Sequence, residues 1–163
     1  MKTLIIYDSV YGNTEKIARA ISKDLGSHKD VSILRAGDVK PEDLTGLNLL
    51  IVGSPTQGFR PTAAINNLLK SIPMNGLKGV KVAAFDTRIS IDDVKSPIGR
   101  SLFRIVSKPF GYAAKPIADK LVEKGGELAI LPEGFFVKGK EGPLKKDELK
   151  RASDWAKRIL AAR

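Results

Sequence analysis

The sequence predicts a three-layer α/β fold of the doubly wound class, with a five-stranded parallel sheet in the order 2-1-3-4-5. Five short apolar runs recur along the chain, each near the length of a buried strand. Helix-like patterns lie between them, and strands that alternate with helices favour a parallel sheet. Polar loops follow the first, third and fourth runs, and this strand order brings all three to one crevice. The predicted strands are Leu4–Tyr7, Val31–Leu34, Leu47–Val52, Val80–Phe85 and Leu128–Leu131.

The helices of this fold come from four segments whose apolar residues recur at helical spacing. In the first, Ile17 and Ile21 share one face, and Gly26 ends the pattern. Pro61 stands just before the second, a position that suits the start of a helix. In the last, the spacing places Trp155 in the core or the helix packing. The predicted helices begin near Glu15, Thr62, Ala113 and Lys146 and end at Leu25, Ile72, Lys124 and Ala161.

Composition narrows the class of protein. A chain of 163 residues that is 42% hydrophobic can bury the core of one domain, so we expect residues 1–163 to form a single unit. The absence of cysteine excludes disulfides, thiolate nucleophiles and iron–sulfur ligation. The single histidine, His28, lies in a polar stretch and is predicted to be a solvated loop residue. No apolar run approaches the roughly 20 residues of a membrane helix or resembles a signal peptide, so we expect a cytoplasmic protein.

The net charge of +10 is unevenly distributed along the chain. Residues 1–94 carry 12 lysines and arginines against 10 acidic residues, whereas residues 95–163 carry 16 against 8. The basic C-terminal part is typical of a surface that attracts an acidic protein, nucleic acid or an anionic membrane, or of a solvated lysine-rich surface. Nucleic acid is disfavoured, because aromatic residues make up only 6% of the chain and form no stacking platform among the lysines.

The loop Ser9-Val10-Tyr11-Gly12-Asn13-Thr14 joins the first strand directly to the first helix. A loop in this position can direct backbone N–H groups at an anion, and the helix N-terminus adds the positive end of its dipole. Both the P-loop lysine and the glycine spacing of the dinucleotide fingerprint are missing, which favours a monophosphate over a nucleoside triphosphate. The alternative is that Asn13 or Thr14 simply caps the helix.

Together with Gly53-Ser54-Pro55-Thr56-Gln57-Gly58 after the third strand, this loop resembles the flavodoxin superfamily, and the resemblance covers essentially the whole chain. It implies flavin mononucleotide (FMN) as the cofactor, with the phosphate on the first loop and the isoalloxazine ring between the second and third loops. A loop without lysine or arginine fits this role, because backbone amides and hydroxyls can solvate a dianion. The implied phosphate contacts are Ser9, Tyr11, Gly12, Asn13 and Thr14, with Ser54 closing over them.

The same resemblance implies contacts to the flavin ring. Gln57 and Gly58 are the implied contacts of the ring edge, and Phe59 is either a stacking partner or a core phenylalanine. The complete set of implied cofactor-binding residues is Ser9, Val10, Tyr11, Gly12, Asn13, Thr14, Ser54, Pro55, Thr56, Gln57, Gly58, Phe59, Asp86, Thr87, Arg88 and Tyr112.

Two positions depart from the family pattern. Tyr11 replaces the usual threonine, which moves one hydroxyl outward and favours a role in covering the flavin edge. The third loop, Phe85-Asp86-Thr87-Arg88, lacks the glycine-rich aromatic segment that clamps the ring in many flavodoxins. Its side chains can reach the ribityl chain or ring edge, with Tyr112 supplying a stacking face. Alternatively, Asp86 and Arg88 form an ordinary surface ion pair.

The segment Ser96–Tyr112 combines apolar residues with Arg100, Arg104 and Lys108. This amphipathic pattern fits a lid over the flavin, a docking surface for a partner, or a contact with a membrane surface. It also fits a helix that packs its apolar face on the core and leaves its cations outside.

Three functions follow from these observations. The first is an FMN-binding electron-transfer protein that needs no catalytic acid or base and docks redox partner proteins with acidic surfaces. The second is a flavin enzyme of the same fold, of the quinone reductase or menaquinone-dependent protoporphyrinogen oxidase type. The third is a flavin-free interaction module with a basic face. A phosphate-accepting receiver domain is disfavoured, because Asp8 lacks the acidic neighbour that such a site needs.

Overall fold

The computed structural model describes residues 1–27, 29–110 and 112–162, with 106–110 as backbone only. His28, predicted to be a loop residue, lies outside the described residues. Five of the described strands form a parallel sheet in the order β2-β1-β3-β4-β5, and a sixth short strand, β6, also pairs with β4. This confirms the predicted strand order. The strands are β1 Thr3–Tyr7, β2 Val31–Arg35, β3 Leu49–Pro55, β4 Lys81–Ile89, β5 Glu127–Leu128 and β6 Glu133–Val137.

The prediction for the fifth strand, Leu128–Leu131, was wrong beyond its first residue. β5 ends at Leu128 after pairing with the start of β4, and Leu131 is exposed. The chain returns to the sheet only at β6, which pairs in parallel with Phe85–Ile89 in the second half of β4. Pro132 stands just before this return and has no N–H to donate to a strand ladder. The apolar run therefore marks an interruption between two short strands at one edge of β4.

The described residues form five helices, of which α1, α2, α4 and α5 flank the sheet. The sheet residues alternate between its two faces, so that Ile5 packs with α1 and α5, whereas Leu4 and Ile6 pack with α2 and α4. The predicted starts and ends of the four helices lie within a few residues of the observed ones. Trp155 is buried in the α1–α5 layer with its ring edge-on to Phe85, as predicted. The helices are α1 Asn13–Leu25, α2 Ala63–Ser71, α3 Pro97–Phe110, α4 Ala114–Glu123 and α5 Glu148–Ala161.

Among the helices in the described part of the chain, none is long and apolar enough to cross a membrane. Two 3-10 turns, Ala36–Asp38 and Pro41–Leu44, form the connection between β2 and β3 instead of a helix. A third 3-10 turn, Ile91–Asp93, follows β4 and leads into α3.

Gly53 allows the centre of the sheet to pack tightly. A Cβ atom at this position would lie 2.1 Å from the Phe85 ring, which is fully buried. Gly53 lies two residues before the end of β3 at Pro55, so the packing of this ring fixes the strand just before the loop that follows it.

Gly53→Ala should therefore lower the free energy of unfolding by about 1–3 kcal/mol, the usual cost of overpacking a core. Urea denaturation measures this loss. Gly37→Ala is the matched control, because a Cβ there meets no atom within 4 Å and the change should stay within about 0.5 kcal/mol. Equal stability of the two variants would contradict the close packing of Gly53 on Phe85.

Candidate functional site

A cavity of about 290 Å³ opens at the carboxyl ends of the central strands, where a doubly wound sheet places its ligand site. All three predicted loops contribute to it, and so does a fourth segment after β6 that the sequence did not indicate. The lining residues are Ser9, Val10, Tyr11, Asn13, Thr14, Pro55, Thr56, Gln57, Gly58, Thr87, Arg88, Ile89, Val137 and Lys140.

The N-terminus of α1 lies at one end of this cavity. Gly12 precedes the helix with a φ of 84°, a left-handed conformation that glycine adopts without strain. No side chain within the described ranges caps the helix, so the interpretation of Asn13 or Thr14 as a cap was wrong. The first amides of α1 therefore remain available to an anion, with the positive end of the helix dipole behind them.

The side chains of the first loop differ in burial and in their hydrogen-bond partners. Ser9 is only 5% exposed, and its Oγ has no hydrogen-bond partner among the described residues. The hydroxyls of Thr14 and Thr87 are 2.8 Å apart, which links the first loop to the end of β4. Asn13 donates its Nδ2 to the carbonyl oxygen of Glu141 at 3.0 Å, so its side chain is engaged outside the loop. Val10 and Tyr11 are exposed at the rim.

Arg35, at the end of β2, holds the first loop from outside. Its guanidinium donates to the carboxylate of Asp8 and to the backbone carbonyl oxygen of Ser9. No sequence signal indicated this residue, because it lies 26 positions away from Ser9 and belongs to no motif. The first loop contains no lysine or arginine of its own, but the guanidinium of Arg35 contacts it from outside.

The second loop is stabilised largely by its own hydrogen bonds. Ser54 is fully buried, accepts a hydrogen bond from the Thr62 N–H at 3.0 Å and donates one to the Pro55 carbonyl oxygen at 2.9 Å. The structure thus gives the Ser54 hydroxyl a role within the loop and does not place it in the cavity lining. Gln57 and Arg60 pair through backbone hydrogen bonds, which leaves the Gln57 side chain exposed at the rim.

Asp86 and Arg88 form a buried ion pair beneath the cavity. Arg88 donates to both carboxylate oxygens of Asp86, at 2.6 and 2.7 Å, and Asp86 is fully buried. The Ala114 N–H also donates to this carboxylate at 2.8 Å. Burial raises the pKa of Asp86, while the hydrogen bonds and charge of Arg88 oppose that shift. The alternative of an ordinary surface ion pair was wrong.

Close packing holds Arg88 in place on both sides. Its Cζ lies 3.8 Å from the centre of the Tyr112 ring, a cation–π contact. A Cβ at Gly134 in β6 would lie 2.2 Å from the same atom, so a side chain there would displace the guanidinium. Arg88 lines the cavity, whereas Tyr112 and Asp86 support it from outside the lining.

Three aromatic rings beside the cavity connect the second loop to α3. Phe59 packs edge-on to Phe103 of α3 at 5.3 Å, and both rings lie 6.4 Å from Tyr112. Phe59 is half-buried in this cluster, so it neither lines the cavity nor belongs to the main core.

The outer face of α3 is apolar and exposed. Ile98 is 75% exposed, Leu102 57% and Ile105 68%. The alternative of a helix that packs its apolar face on the core was therefore wrong for Ile98, Leu102 and Ile105, whereas Phe103 packs in the aromatic cluster. Arg100 and Arg104 are exposed on the same helix.

The doubly wound sheet, the crevice at its carboxyl edge and the open helix N-terminus define a flavodoxin-like α/β protein. The family model for flavodoxin matches residues 5–90, just over half of the chain. The chain therefore belongs to the flavodoxin family, and membership implies a flavin cofactor, typically FMN.

Solved structures share this fold over nearly the whole chain. Oxidised flavodoxin 2 from Bacillus cereus is 22% identical, with a TM-score of 0.74 over 99% of each chain. A flavodoxin from the domain Archaea is 24% identical, with a TM-score of 0.68 over 98% of this chain and 99% of that one. Rubredoxin oxygen:oxidoreductase from Desulfovibrio gigas is 21% identical, with a TM-score of 0.71 over 99% of this chain and 35% of that one. A search of curated protein sequences gave no match.

The buried ion pair generates a prediction about stability. Arg88→Met should cost about 3 kcal/mol, because it leaves the Asp86 carboxylate buried without its counter-charge. In a double-mutant cycle with Asp86→Asn, the coupling energy should exceed about 1.5 kcal/mol, measured by urea denaturation.

The exposed pair Lys115 and Asp119 on α4 serves as the control. Both side chains are well exposed, at 71% and 64%, and the same cycle with Lys115→Met and Asp119→Asn should give a coupling below about 0.5 kcal/mol. A similarly small coupling for Arg88 and Asp86 would show that their burial adds nothing to the interaction.

Proposed function

We propose that the protein binds FMN in the cavity and transfers electrons between redox partner proteins. The observation that carries this proposal is the buried, unpartnered Oγ of Ser9 beside the uncapped N-terminus of α1. A buried hydroxyl without a partner is costly in a folded protein unless a ligand or water satisfies it, and Ser9 lines the cavity. Family membership supports FMN as the cofactor.

The residues around the cavity suit the two chemical parts of FMN. The phosphate would be held by the amides at the start of α1 and by the hydroxyls of Ser9 and Thr14. The ring would lie toward the second loop and Arg88, with Tyr11 and Gln57 at the open rim. When bound, the flavin accepts and donates electrons, so the chain itself needs to supply only binding, orientation and charge.

Ser9→Ala should weaken FMN binding by about tenfold or more, since a hydrogen bond to a charged group contributes about 1.5–3 kcal/mol. The stability of the cofactor-free protein should change little, because the hydroxyl has no protein partner among the described residues. Quenching of flavin fluorescence measures the dissociation constant, and urea denaturation measures the stability.

Ser71→Ala on α2 is the control, because its hydroxyl bonds to the Leu68 carbonyl and lies outside the cavity lining. It should leave FMN affinity unchanged. A Ser9→Ala variant that loses stability but keeps its affinity would assign Ser9 a structural role. A colourless purified protein that does not bind added FMN would overturn the proposed function itself.

We also propose that an acidic redox protein docks on the outer face of α3, next to the cavity. The exposed Ile98, Leu102 and Ile105 form an apolar strip on this helix, and Arg100 lies exposed beside them. The C-terminal part of the chain carries most of the positive charge, so its field favours an acidic partner. Phe103 on the inner face joins the docking surface to the aromatic cluster beside the cavity.

Combined Ile98→Ser and Leu102→Ser substitutions should slow electron transfer from the FMN-loaded protein to an acidic ferredoxin by about fivefold, as expected when apolar contacts are removed from an interface. Stopped-flow absorbance gives the second-order rate constant, which should also fall as ionic strength rises.

Leu149→Ser provides a matched control, because Leu149 is 48% exposed on α5 and lies outside the cavity lining. Its rate constant should equal that of the unmodified protein. Unchanged rates in the α3 variant would exclude this docking surface. Steady reduction of a quinone by a nicotinamide donor would instead assign the protein to the flavin enzymes of this fold.

A further inference from the structure

The connection between β6 and α5 forms a short hairpin over residues 138–145. Lys138 donates its N–H to the Pro143 carbonyl oxygen at 2.9 Å, and Lys145 donates to that of Phe136 at 2.8 Å. These bonds double the chain back on itself directly after the last strand. The 138–145 hairpin is thus an ordered element between the sheet and the last helix.

A direct contact fixes this hairpin to the first loop. The Asn13 side chain donates to the Glu141 carbonyl oxygen, 128 residues away in sequence. Gly142 makes the approach possible, because a Cβ there would lie 2.5 Å from Asn13 Nδ2. The hairpin backbone therefore rests against the residue that begins α1.

This contact places the hairpin that carries Lys140 against the first loop. Lys140 lines the cavity together with Ser9, Asn13 and Thr14. Within the described ranges its ammonium group forms no ion pair, whereas Lys145 of the same hairpin pairs with Asp93 at 2.9 Å. Lys140 is thus a cation without an ion pair among the described residues, in a cavity that the uncapped N-terminus of α1 also lines.

The other cation of the lining is differently placed. Arg88 is neutralised by the buried carboxylate of Asp86 and is held at the end of β4. Lys140 is exposed, and its ammonium group lies at the end of a long flexible side chain. It can therefore move to pair with an anionic ligand that enters from solvent.

We propose that Lys140 is a phosphate-selective clamp, which contributes positive charge to the binding of a dianionic phosphate monoester at the first loop. This inference rests on the proposed function and adds a binding residue from outside the three flavin loops. The clamp acts on the phosphate and leaves the binding of the ring unchanged. It adds a positive charge to the neutral donors of the first loop, which contains no lysine or arginine.

A comparison of FMN with riboflavin, which lacks the phosphate, tests this inference. Lys140→Gln should weaken FMN binding by about three- to fivefold at low salt, the range of a solvent-exposed ion pair, and leave riboflavin binding unchanged. The FMN effect should shrink at high salt, because screening weakens exposed charge interactions. Lys140→Arg should restore most of the affinity, since it keeps the charge.

Lys138→Gln is the matched control, because Lys138 is an exposed lysine on the same hairpin that does not line the cavity. It should leave the affinity for both flavins unchanged. An equal loss of FMN and riboflavin affinity in Lys140→Gln would place the lysine against the ring and overturn the clamp. Unchanged FMN affinity in Lys140→Gln would overturn it as well.

A titration of the cofactor-free protein with inorganic phosphate separates this inference from the proposed function. The amide NMR signals of residues 9–14 should shift with phosphate, and Lys140→Gln should weaken that response. If the unmodified protein binds no FMN but shows this behaviour, the proposed function fails and the clamp stands. If phosphate moves none of these signals in a protein that binds no FMN, both are overturned.

Discussion

The carboxylate of Asp86 is the constraint on which the site depends. It is fully buried at the end of β4 and accepts hydrogen bonds from Arg88 and from the first amide of α4. Thr56 of the second loop also bonds to it and accepts a hydrogen bond from the Ala113 N–H. One side chain thus connects the central strand, a flanking helix and a loop of the cavity. A buried charge of this kind is tolerated only when its partners are fixed, so each of these elements is held by the others.

The same ion pair determines how Arg88 can act on a ligand. A free cation in the cavity would stabilise any negative charge that develops on a bound ring. Because Asp86 lies against the guanidinium, the pair has no net charge, and its effect on the cavity is mainly that of a dipole. Arg88 therefore supplies shape and hydrogen-bonding capacity. Among the described residues of the cavity lining, the cation without an ion pair is Lys140 of the 138–145 hairpin.

The sequence was sufficient to predict the elements whose signal lies within a short stretch of the chain. The strands β1 to β4, the four flanking helices and the two motif-bearing loops were predicted because apolar periodicity and loop composition are encoded within short windows. The break between β5 and β6 was not predicted, because an apolar run looks the same whether it continues along the sheet or leaves it. The contact of Arg88 with Gly134 was not predicted either, because the sequence around one residue gives no information about the other.

The candidate site also has one part that could be predicted from the sequence and one part that could not. The first loop indicates the kind of ligand, because a glycine at the helix start and its neighbouring hydroxyls act through nearby backbone. The cations at this site lie on other elements: Arg35 at the end of β2 bonds to the loop, and Arg88 of β4 and Lys140 of the 138–145 hairpin line the cavity. A neutral loop motif is therefore compatible with a range of ligand affinities. The motif can therefore stay the same while the elements that surround it change the charge near the loop.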